Sequence, residues 1–484
     1  MLFNSLQYLC FLPALVIVYH LCPSRLRVGL LLGASYLFYA SWNAVYLLLI
    51  VGLTAANYGF GLALGRLRAR PRALKGMLAG AITVDLGVLG FYKYSAFLIR
   101  SLVSGLGAIH SGVHIDEPSL ILPLGISFFT FEFIHYLVDV YRGNEVVRSP
   151  LKFAVFAGFF PTQIAGPIKR YENFIPQLER RAAVDAVRWG EGARLIVLGM
   201  FKKVAIADNL APLVGLGFGP TPQGLRFADA WLVTIAFALQ IYFDFSGFTD
   251  IARGSALMLG FQVPENFRRP YLAANVSEFW HRWHISLSTW LRDYLYKPLG
   301  GNRKHRYRNL MLTFLIGGLW HGANWTFVIW GAFHGGLLVM YWGTVSVRAR
   351  LGRPKPERSH PIPVLITWAA TFAAVCVGWV FFRASTFDQA IAVLKPMFGF
   401  ARGAGVFTTG QRELIIAVLI GCLGVEAVVE WRERTVAAGR RAGERVARLG
   451  ALRWHLQPAA WVALAAITLI LKPPTGPHFI YFQF

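Results

Sequence analysis

The sequence predicts an all-α polytopic membrane protein with about 10 to 12 transmembrane helices, joined in places by re-entrant and amphipathic segments. Two observations lead to this prediction. The 484 residues are 56% hydrophobic and 15% aromatic, with a mean hydropathy of +0.49, which is too apolar for a soluble enzyme of this length. In addition, apolar windows alternate with short basic blocks, which is typical of a chain that crosses a bilayer repeatedly.

Apolar windows that are long enough to cross a bilayer, or nearly so, recur from one end of the chain to the other. They lie at residues 8–22, 28–42, 44–65, 77–98, 119–140, 192–218, 228–246, 309–322, 324–345, 362–382, 413–430 and 456–471. Counting spans back from the basic block that begins at residue 66, and forward from the one that ends at residue 453, predicts that both termini are periplasmic or extracellular.

The basic residues indicate how the chain is oriented. The sequence has 48 Lys and Arg against 24 Asp and Glu, a net charge of +24 that would also suit a nucleic-acid-binding protein. These residues cluster between the apolar windows, in blocks at 66–75, 179–194, 300–308, 348–358 and 432–453. Because positively charged loops stay in the cytoplasm, we interpret the blocks as cytoplasmic loops and predict no nucleic-acid partner.

Three regions do not fit plain spanning helices. One, at 384–412, is short and glycine-rich near its end. The other two are irregular within apolar sequence. Residues 156–178 are apolar but are broken by Pro161, Gly166 and Pro167, and residues 247–300 alternate polar and aromatic side chains. Irregular backbone at membrane depth survives only where protein or a water-filled cavity satisfies its polar groups. Both regions are therefore expected to line an interior cavity.

The stretch EFWHRWHISLSTWLRDY (278–294) predicts one amphipathic helix. Its aromatic side is formed by Phe279, Trp283, Trp290 and Tyr294, and its polar side by His281, His284, Ser288 and Arg292. The aromatic side is typical of packing, whereas a polar side at membrane depth needs water, a partner or a substrate. Glu278, His281 and His284 also suggest a metal site, but such sites in helical bundles need carboxylates from several helices, and we predict no metal.

Two histidines occur in the otherwise apolar stretch GGLWHGANWTFVIWGAFHG (317–335). His321 has glycines on both sides of its Trp-His pair, so another helix or a substrate can approach the backbone there. An imidazole in this place can transfer a proton near neutral pH, or it can be a buried neutral histidine bonded to a carbonyl, and the residues alone favour neither. His334 lacks a comparable setting and is expected to be structural.

The stretch YFDFSGFTDIARG (242–254) places Asp244, Ser246, Asp250 and Arg253 in an apolar context. Carboxylates at membrane depth must be paired or solvated, so they should face the interior. Asp250 and Arg253 are three residues apart and are expected to pair with each other. We interpret these side chains as structural support more than as catalytic groups.

The motifs of other large membrane-enzyme classes do not occur, namely the Walker A, HExxH and GxSxG sequences. An enzyme built from the remaining residues would use histidine as a base on a substrate that arrives already activated. The alternative is a transporter or flippase in which histidines relay protons. That alternative predicts inverted repeats with paired broken helices, and the sequence has no visible repeat.

The same stretches resemble the membrane-bound O-acyltransferase (MBOAT) superfamily, and within it the bacterial branch that contains the alginate O-acetyltransferase membrane subunit. The resemblance extends from about residue 120 to the C-terminus. It is carried by FPTQIAGPIKRYENFIPQL (160–178), YFDFSGFTDIARG (242–254), NFRRPYLAANVSEFWHRWHISLSTWLRDYLYKPLGGNR (266–303), GGLWHGANWTFVIWGAFHG (317–335) and HFIYFQF (478–484). It implies a single integral-membrane domain (1–484) with N-terminal helices (1–115), a catalytic core (120–345) and C-terminal helices (346–484).

For the site, the resemblance implies that His321 is the catalytic histidine and that His284 is the second histidine of the active site. A central funnel would bring an acyl donor from the cytoplasm and an acceptor hydroxyl from outside to these residues. Supporting or substrate-binding roles are expected for Trp320, Trp283, Ser288, Asn324, His281, Asp244 and Ser246. His281 departs from the family pattern, which usually has arginine at this position.

The resemblance also implies the reaction: acetyl transfer from a cytoplasmic thioester, acetyl-CoA or a similar donor, to an exported polysaccharide such as alginate or cellulose. No tightly bound cofactor is expected. Arg306 and Arg308 could attract the phosphates of coenzyme A, although plain topogenic charge is the alternative. Periplasmic acetylation or export proteins are expected partners in a bacterial inner membrane. D-alanyl transfer and peptidoglycan O-acetylation are the alternative reactions within the superfamily.

Overall fold

A computed structural model describes residues 1, 3–107, 115–179, 186–219, 224–352, 361–400, 403, 405–437 and 457–473. Its regular secondary structure in these ranges is entirely helical, which confirms the predicted fold class. The HFIYFQF motif, Arg180, Arg181 and most of the basic blocks at 348–358 and 432–453 lie outside the described residues.

The chain divides into two compact units. The first unit comprises Met1–Ile196 and Phe248–Pro264. Its helices are α1 (Leu6–Leu21), α2 (Ser24–Ala40), α3 (Ala44–Arg66), α4 (Pro71–Leu89), α5 (Ser95–Gly107), α6 (Ile126–Tyr141), α7 (Pro150–Gly158), α8 (Phe160–Gln163), α9 (Tyr171–Glu179) and most of α10 (Ala186–Met200). A π-helical turn at Gly90–Tyr94 joins α4 to α5.

The second unit comprises Val197–Gly247 and Glu265–Phe484. It contains a π-helical turn at Phe201–Ala207, α11 (Asp208–Gly217), most of α12 (Phe227–Met258), α13 (Val276–Arg282), α14 (Ile285–Leu291), α15 (Arg306–His321), α16 (Trp325–Arg350), α17 (Pro361–Arg383), α18 (Phe387–Met397), α19 (Thr409–Ala437) and α20 (Gln457–Ile470). A short 3-10 turn lies at Pro270–Leu272. The predicted subdivision at residues 115, 120 and 346 stays a prediction.

Six segments of the described chain are long and apolar enough to cross a membrane, so this is a multi-pass membrane protein. They are Ala44–Arg66, Pro71–Leu106, Phe227–Met258, Trp325–Arg350, Ile362–Arg383 and Thr409–Thr435. Five other predicted windows form helices of only 14 to 17 residues, shorter than the about 20 residues that a perpendicular span needs. The window at 192–218 is interrupted by the π-helical turn and by Pro212.

Asparagine side chains begin several of these helices. Asn43, Asn275 and Asn324 each accept hydrogen bonds from the first amides of α3, α13 and α16. Those amides have no partner within their own helix, so a side-chain oxygen at this position stabilises the helix start. Asn324 therefore has a structural task, and its Nδ2 also donates to the Ser385 carbonyl at 2.9 Å.

Glycines let α15 and α16 pack as a close hairpin. A Cβ added to Gly318 would collide with the carbonyl oxygen of Phe327, and one added to Gly331 would collide with the carbonyl of Phe314. The two backbones thus approach each other at positions where only hydrogen fits, as is common between membrane helices.

Gly318→Ala is accordingly expected to lower the free energy of unfolding by about 1–3 kcal/mol, because the added methyl overpacks the hairpin. Thermal unfolding of the protein in lipid nanodiscs, followed by tryptophan fluorescence, measures this effect. Gly343→Ala on α16 is the matched control, since a Cβ there meets no atom within 4 Å. A Gly318→Ala protein with an unchanged midpoint would contradict the close packing.

Candidate active site

The predicted helix over 278–294 is wrong, because the chain turns sharply at Trp283 and His284. Helix α13 ends at Arg282, and His284 has φ 41° and ψ 56°, in the left-handed region. Asn266 holds the turn: its carbonyl accepts from the Ile285 amide at 2.9 Å, and its side chain accepts from the Ser286 amide at 3.2 Å. A non-glycine residue in this conformation costs roughly 1–3 kcal/mol and persists only where surrounding contacts impose it.

This turn brings the two predicted catalytic histidines together. The His284 and His321 rings lie 6.4 Å apart between centroids, and both side chains are buried. Phe245 of α12 packs edge-on against His284 at 4.7 Å. Burial lowers the pKa of His284 to about 3, so its imidazole is neutral at physiological pH and one ring nitrogen can accept a hydrogen bond.

His321 is the last residue of α15, where the backbone leaves the helix in an extended conformation at Gly322. Aromatic rings surround its imidazole: Trp320, Trp330 and Phe382 lie at centroid distances of 5.0, 5.1 and 5.2 Å. These rings leave the imidazole largely buried, and restricted access of water favours transfer chemistry over hydrolysis.

A cavity of about 380 Å³ reaches His321. One face of α15 lines it from the first residue of the helix to the last, through Arg306, Leu310, Thr313, Phe314, Gly317 and His321. At 1.5 Å per residue, this face extends about 22 Å. The remaining wall comes mainly from α13, α14, the π-helical turn at Arg292–Tyr296 and α16.

The end of the cavity near Arg306 is polar and basic. The Arg306 guanidinium lies over the Trp342 ring, 4.1 Å from its centroid, and Tyr296 donates to Asn302 at 2.7 Å. Arg292 also lines the cavity and pairs with Asp293 at 3.1 Å. Arg306 is thus the predicted phosphate-binding residue that reaches the cavity.

Arg308, predicted together with Arg306, does not line this cavity. It is exposed and donates to the Asn309 side chain at 3.1 Å. Successive side chains of a helix point about 100° apart, so those of residues 306 and 308 point about 200° apart, to nearly opposite sides of α15. They cannot both face one groove.

Other residues of the predicted helix either line the cavity or are buried in packing contacts. His281 and Ser288 line the cavity, although each also bonds a backbone carbonyl: His281 Nδ1 lies 2.6 Å from the Ser277 oxygen, and Ser288 donates to Trp283 at 3.2 Å. Buried Trp320 packs against His284 and His321, at centroid distances of 6.2 and 5.0 Å. Buried Trp283 packs instead against Phe267 and Trp379, and neither tryptophan lines the cavity.

Asp244 belongs to a buried ion cluster. Lys203 Nζ lies 2.8 Å from both Asp244 Oδ1 and Asp208 Oδ1, and all three side chains are almost inaccessible. Ser246 is buried on the same helix. Sequence reasoning missed Lys203, although a lysine inside the apolar window 192–218 signals a buried ion pair.

Asp250 and Arg253 in the first unit pair at 3.8 Å, as their spacing predicted.

His334 is fully buried and packs between Trp280 and Trp330, at centroid distances of 5.2 and 5.0 Å. It does not line the cavity of His321. Its ring fits against Gly378 on α17, where a Cβ would collide with Nε2. This environment agrees with the expected structural role.

The chain is similar in sequence to known membrane acyltransferases. Residues 144–378 match the profile of the membrane-bound O-acyltransferase family. The chain is 43% identical over 409 residues to a protein named probable alginate O-acetylase AlgI from Azotobacter vinelandii. The aligned region covers 83% of this chain and 78% of that protein. The chain is 36% identical over 436 residues to a peptidoglycan O-acetyltransferase from Helicobacter pylori, covering 82% and 80%. A teichoic acid D-alanyltransferase from Bacillus subtilis is 28% identical over 300 residues, covering 58% and 73%.

Proposed function

Because the chain belongs to the membrane-bound O-acyltransferase family, we propose that it transfers an acetyl group from a cytoplasmic thioester, acetyl-CoA or a similar donor, to hydroxyl groups of an exported polysaccharide such as alginate. The single observation that carries the chemistry is the cavity that extends along α15 from Arg306 to His321. An extended donor fits this shape, with its phosphates at the basic end and its thioester near the imidazole.

His321 acts as the base in this proposal. Its neutral imidazole removes the proton of the acceptor hydroxyl while the oxygen attacks the thioester carbonyl carbon. The carbon–sulfur bond of the resulting tetrahedral intermediate then breaks, and the proton passes from His321 to the departing thiolate. His284 is fully buried beside His321 and does not line the cavity. In this proposal it orients the acceptor or donates a hydrogen bond to the developing oxyanion once neighbouring side chains move to admit the substrate.

The setting follows from the same proposal. With the basic blocks in the cytoplasm, Arg306 faces the donor pool of a bacterial inner membrane and both termini are periplasmic. Periplasmic proteins then complete the delivery of acetyl groups to the polymer. No tightly bound cofactor or metal enters the reaction scheme, and Asp244, Ser246 and Asn324 support it by holding helices in place.

Transfer by the purified protein tests the function. In nanodiscs, radiolabelled acetyl-CoA is supplied with alginate oligosaccharides or with peptidoglycan fragments, and the labelled product is separated from free acetate. Label on the alginate oligosaccharides supports the proposal. Label on peptidoglycan alone would reassign the acceptor, and failure to consume any acyl thioester would reject the donor.

Arg306→Ala is expected to raise the KM for acetyl-CoA by about 10- to 100-fold with little change in kcat, because a charge-assisted hydrogen bond to phosphate contributes roughly 1.5–3 kcal/mol. Initial rates over a range of acetyl-CoA and salt concentrations measure the change. Arg308→Ala removes an equal charge outside the cavity and is the matched control. Equal effects of both substitutions would indicate a general electrostatic attraction and not a binding site at Arg306.

A further inference from the structure

A network of ion pairs joins the loop that carries His284 to the outer helix α19. Glu430 of α19 accepts from Arg269 Nε at 2.7 Å and from Arg282 at 3.1 Å. Arg282 also pairs with Glu278 at 2.8 Å. Glu433 and Arg434 complete the network through Arg269 and Glu430. Three guanidinium groups are thus balanced by three carboxylates.

The central members of this network are largely withdrawn from solvent. The side chains of Arg269, Arg282 and Glu430 are 15%, 13% and 17% exposed. Partial burial strengthens their attraction and makes the loss of one partner expensive, because the remaining charges stay buried without compensation. Glu430 is the shared acceptor of both arginines, so the network depends on it most.

The segment from Asn266 to Ile285, which includes α13, forms a loop whose two ends are hydrogen-bonded to each other. At this closure, the neck of the loop, the Ile285 amide donates to the Asn266 carbonyl and the Arg268 amide donates to the Arg282 carbonyl, both at 2.9 Å. His284 lies in this neck, two residues after Arg282. A displacement of Arg282 therefore shifts His284 as well, because only two residues of hydrogen-bonded backbone separate them.

The backbone of this loop is strained at two places. Arg269 has φ 48° and His284 has φ 41°, and these are two of the three non-glycine residues with positive φ in the described ranges. Such conformations relax unless external contacts hold them. Glu430 contacts one of these residues directly and reaches the other through Arg282.

Helix α19 also packs against the 3-10 turn at Pro270–Leu272, but most of its own length is exposed. Only 11% of its span is buried, and large apolar side chains such as Ile420, Val425 and Val428 are exposed. Its acidic residues make the specific contacts to the loop, whereas its apolar surface suits lipid.

We propose that Glu430 is a positioning residue for acyl transfer: by holding Arg269 and Arg282 it keeps the turn at His284 in the conformation that places this imidazole beside His321. Glu430 acts through the arginines and lines no part of the cavity. The catalytic half of this inference rests on the proposed function. The structural half, the position of His284, does not.

The test compares wild type with Glu430→Gln, which keeps the size of the side chain and removes its charge. The full-length protein in nanodiscs is assayed for acetyl transfer and, separately, treated with diethyl pyrocarbonate, a histidine reagent whose products are mapped by mass spectrometry. We expect kcat to fall by up to about 100-fold, the scale of a misplaced catalytic group, with the KM for acetyl-CoA unchanged. We also expect His284, which is inaccessible in the wild type, to become modified.

Three controls separate positioning from general loosening. Glu265→Gln removes a carboxylate just before the loop, from a more exposed pair with Arg268, and should behave as wild type. Exposed His305 should react in every variant, and buried His334 should react in none. If Glu430→Gln also exposes His334, Arg282→Lys takes its place, because it keeps the charge but cannot bridge Glu278 and Glu430 with the same geometry.

The outcomes distinguish the two proposals. Modification of His284 together with a selective loss of kcat supports the positioning role. Protection of His284 in both variants, or its modification with kcat unchanged, overturns it. If the wild type transfers no acetyl group but His284 reacts only in the variants, the position of His284 depends on Glu430 and the proposed function fails.

Discussion

Replacing His321 with alanine is expected to lower the rate of acetyl transfer by about 10²- to 10⁴-fold, the usual contribution of a well-placed general base. The imidazole is buried among aromatic rings at the end of the α15 cavity, and water in that enclosed place is a poor substitute for it. The donor should still bind, since Arg306 is the full length of α15 away.

Single-turnover transfer from labelled acetyl-CoA, normalised to folded protein, measures this loss. His334→Ala is the matched control, because it removes a buried histidine from the neighbouring helix without touching the cavity. The control should lose stability but retain transfer per folded molecule. A His321→Ala protein with wild-type transfer would show that His321 is not the base.

Lys169→Met is expected to reduce the free energy of unfolding by about 3–5 kcal/mol, because it leaves a buried carboxylate without its partner. In the first unit, Lys169 Nζ lies 2.7 and 2.8 Å from the two carboxylate oxygens of Glu132, and their side chains are only 2% and 5% exposed. The rings of Phe156 and Phe174 lie beside the ammonium at 5.0 and 5.6 Å. This apolar surrounding cannot solvate Glu132 alone.

Unfolding by a denaturing detergent, followed by tryptophan fluorescence, compares the variants. Lys152→Met is the matched control, since the Lys152–Glu179 pair has the same 2.7 Å separation but is 30% and 58% exposed. Exposed pairs contribute only about 0–1 kcal/mol, so this control should change little. The double variant Lys169→Met/Glu132→Leu should regain most of the lost stability, and a Lys169→Met effect as small as that of the control would contradict the buried pair.

The site shows where reasoning from residues succeeds. His321 and His284 were singled out by their polar character in apolar surroundings and by the family motifs. In the structure the centroids of their rings lie 6.4 Å apart. The expected helix through His284 failed because its periodicity is compatible with two short helices, and the periodicity says nothing of Asn266, which holds the break from outside the stretch. Arg306 and Arg308 look equivalent in sequence, yet only the orientation of α15 decides which one reaches the cavity.

That this chain is an all-α multi-pass membrane protein of the O-acyltransferase family can be read from its residues, because apolar length, charge blocks and local motifs are properties of contiguous stretches. The left-handed turn at His284, the cavity between α15 and its neighbours and the attachment of Glu430 to Arg269 and Arg282 arise only in the folded chain. These features join residues that are up to 161 positions apart, as Arg269 and Glu430 are. Side-chain charge and burial can select such partners only after packing has brought the helices together.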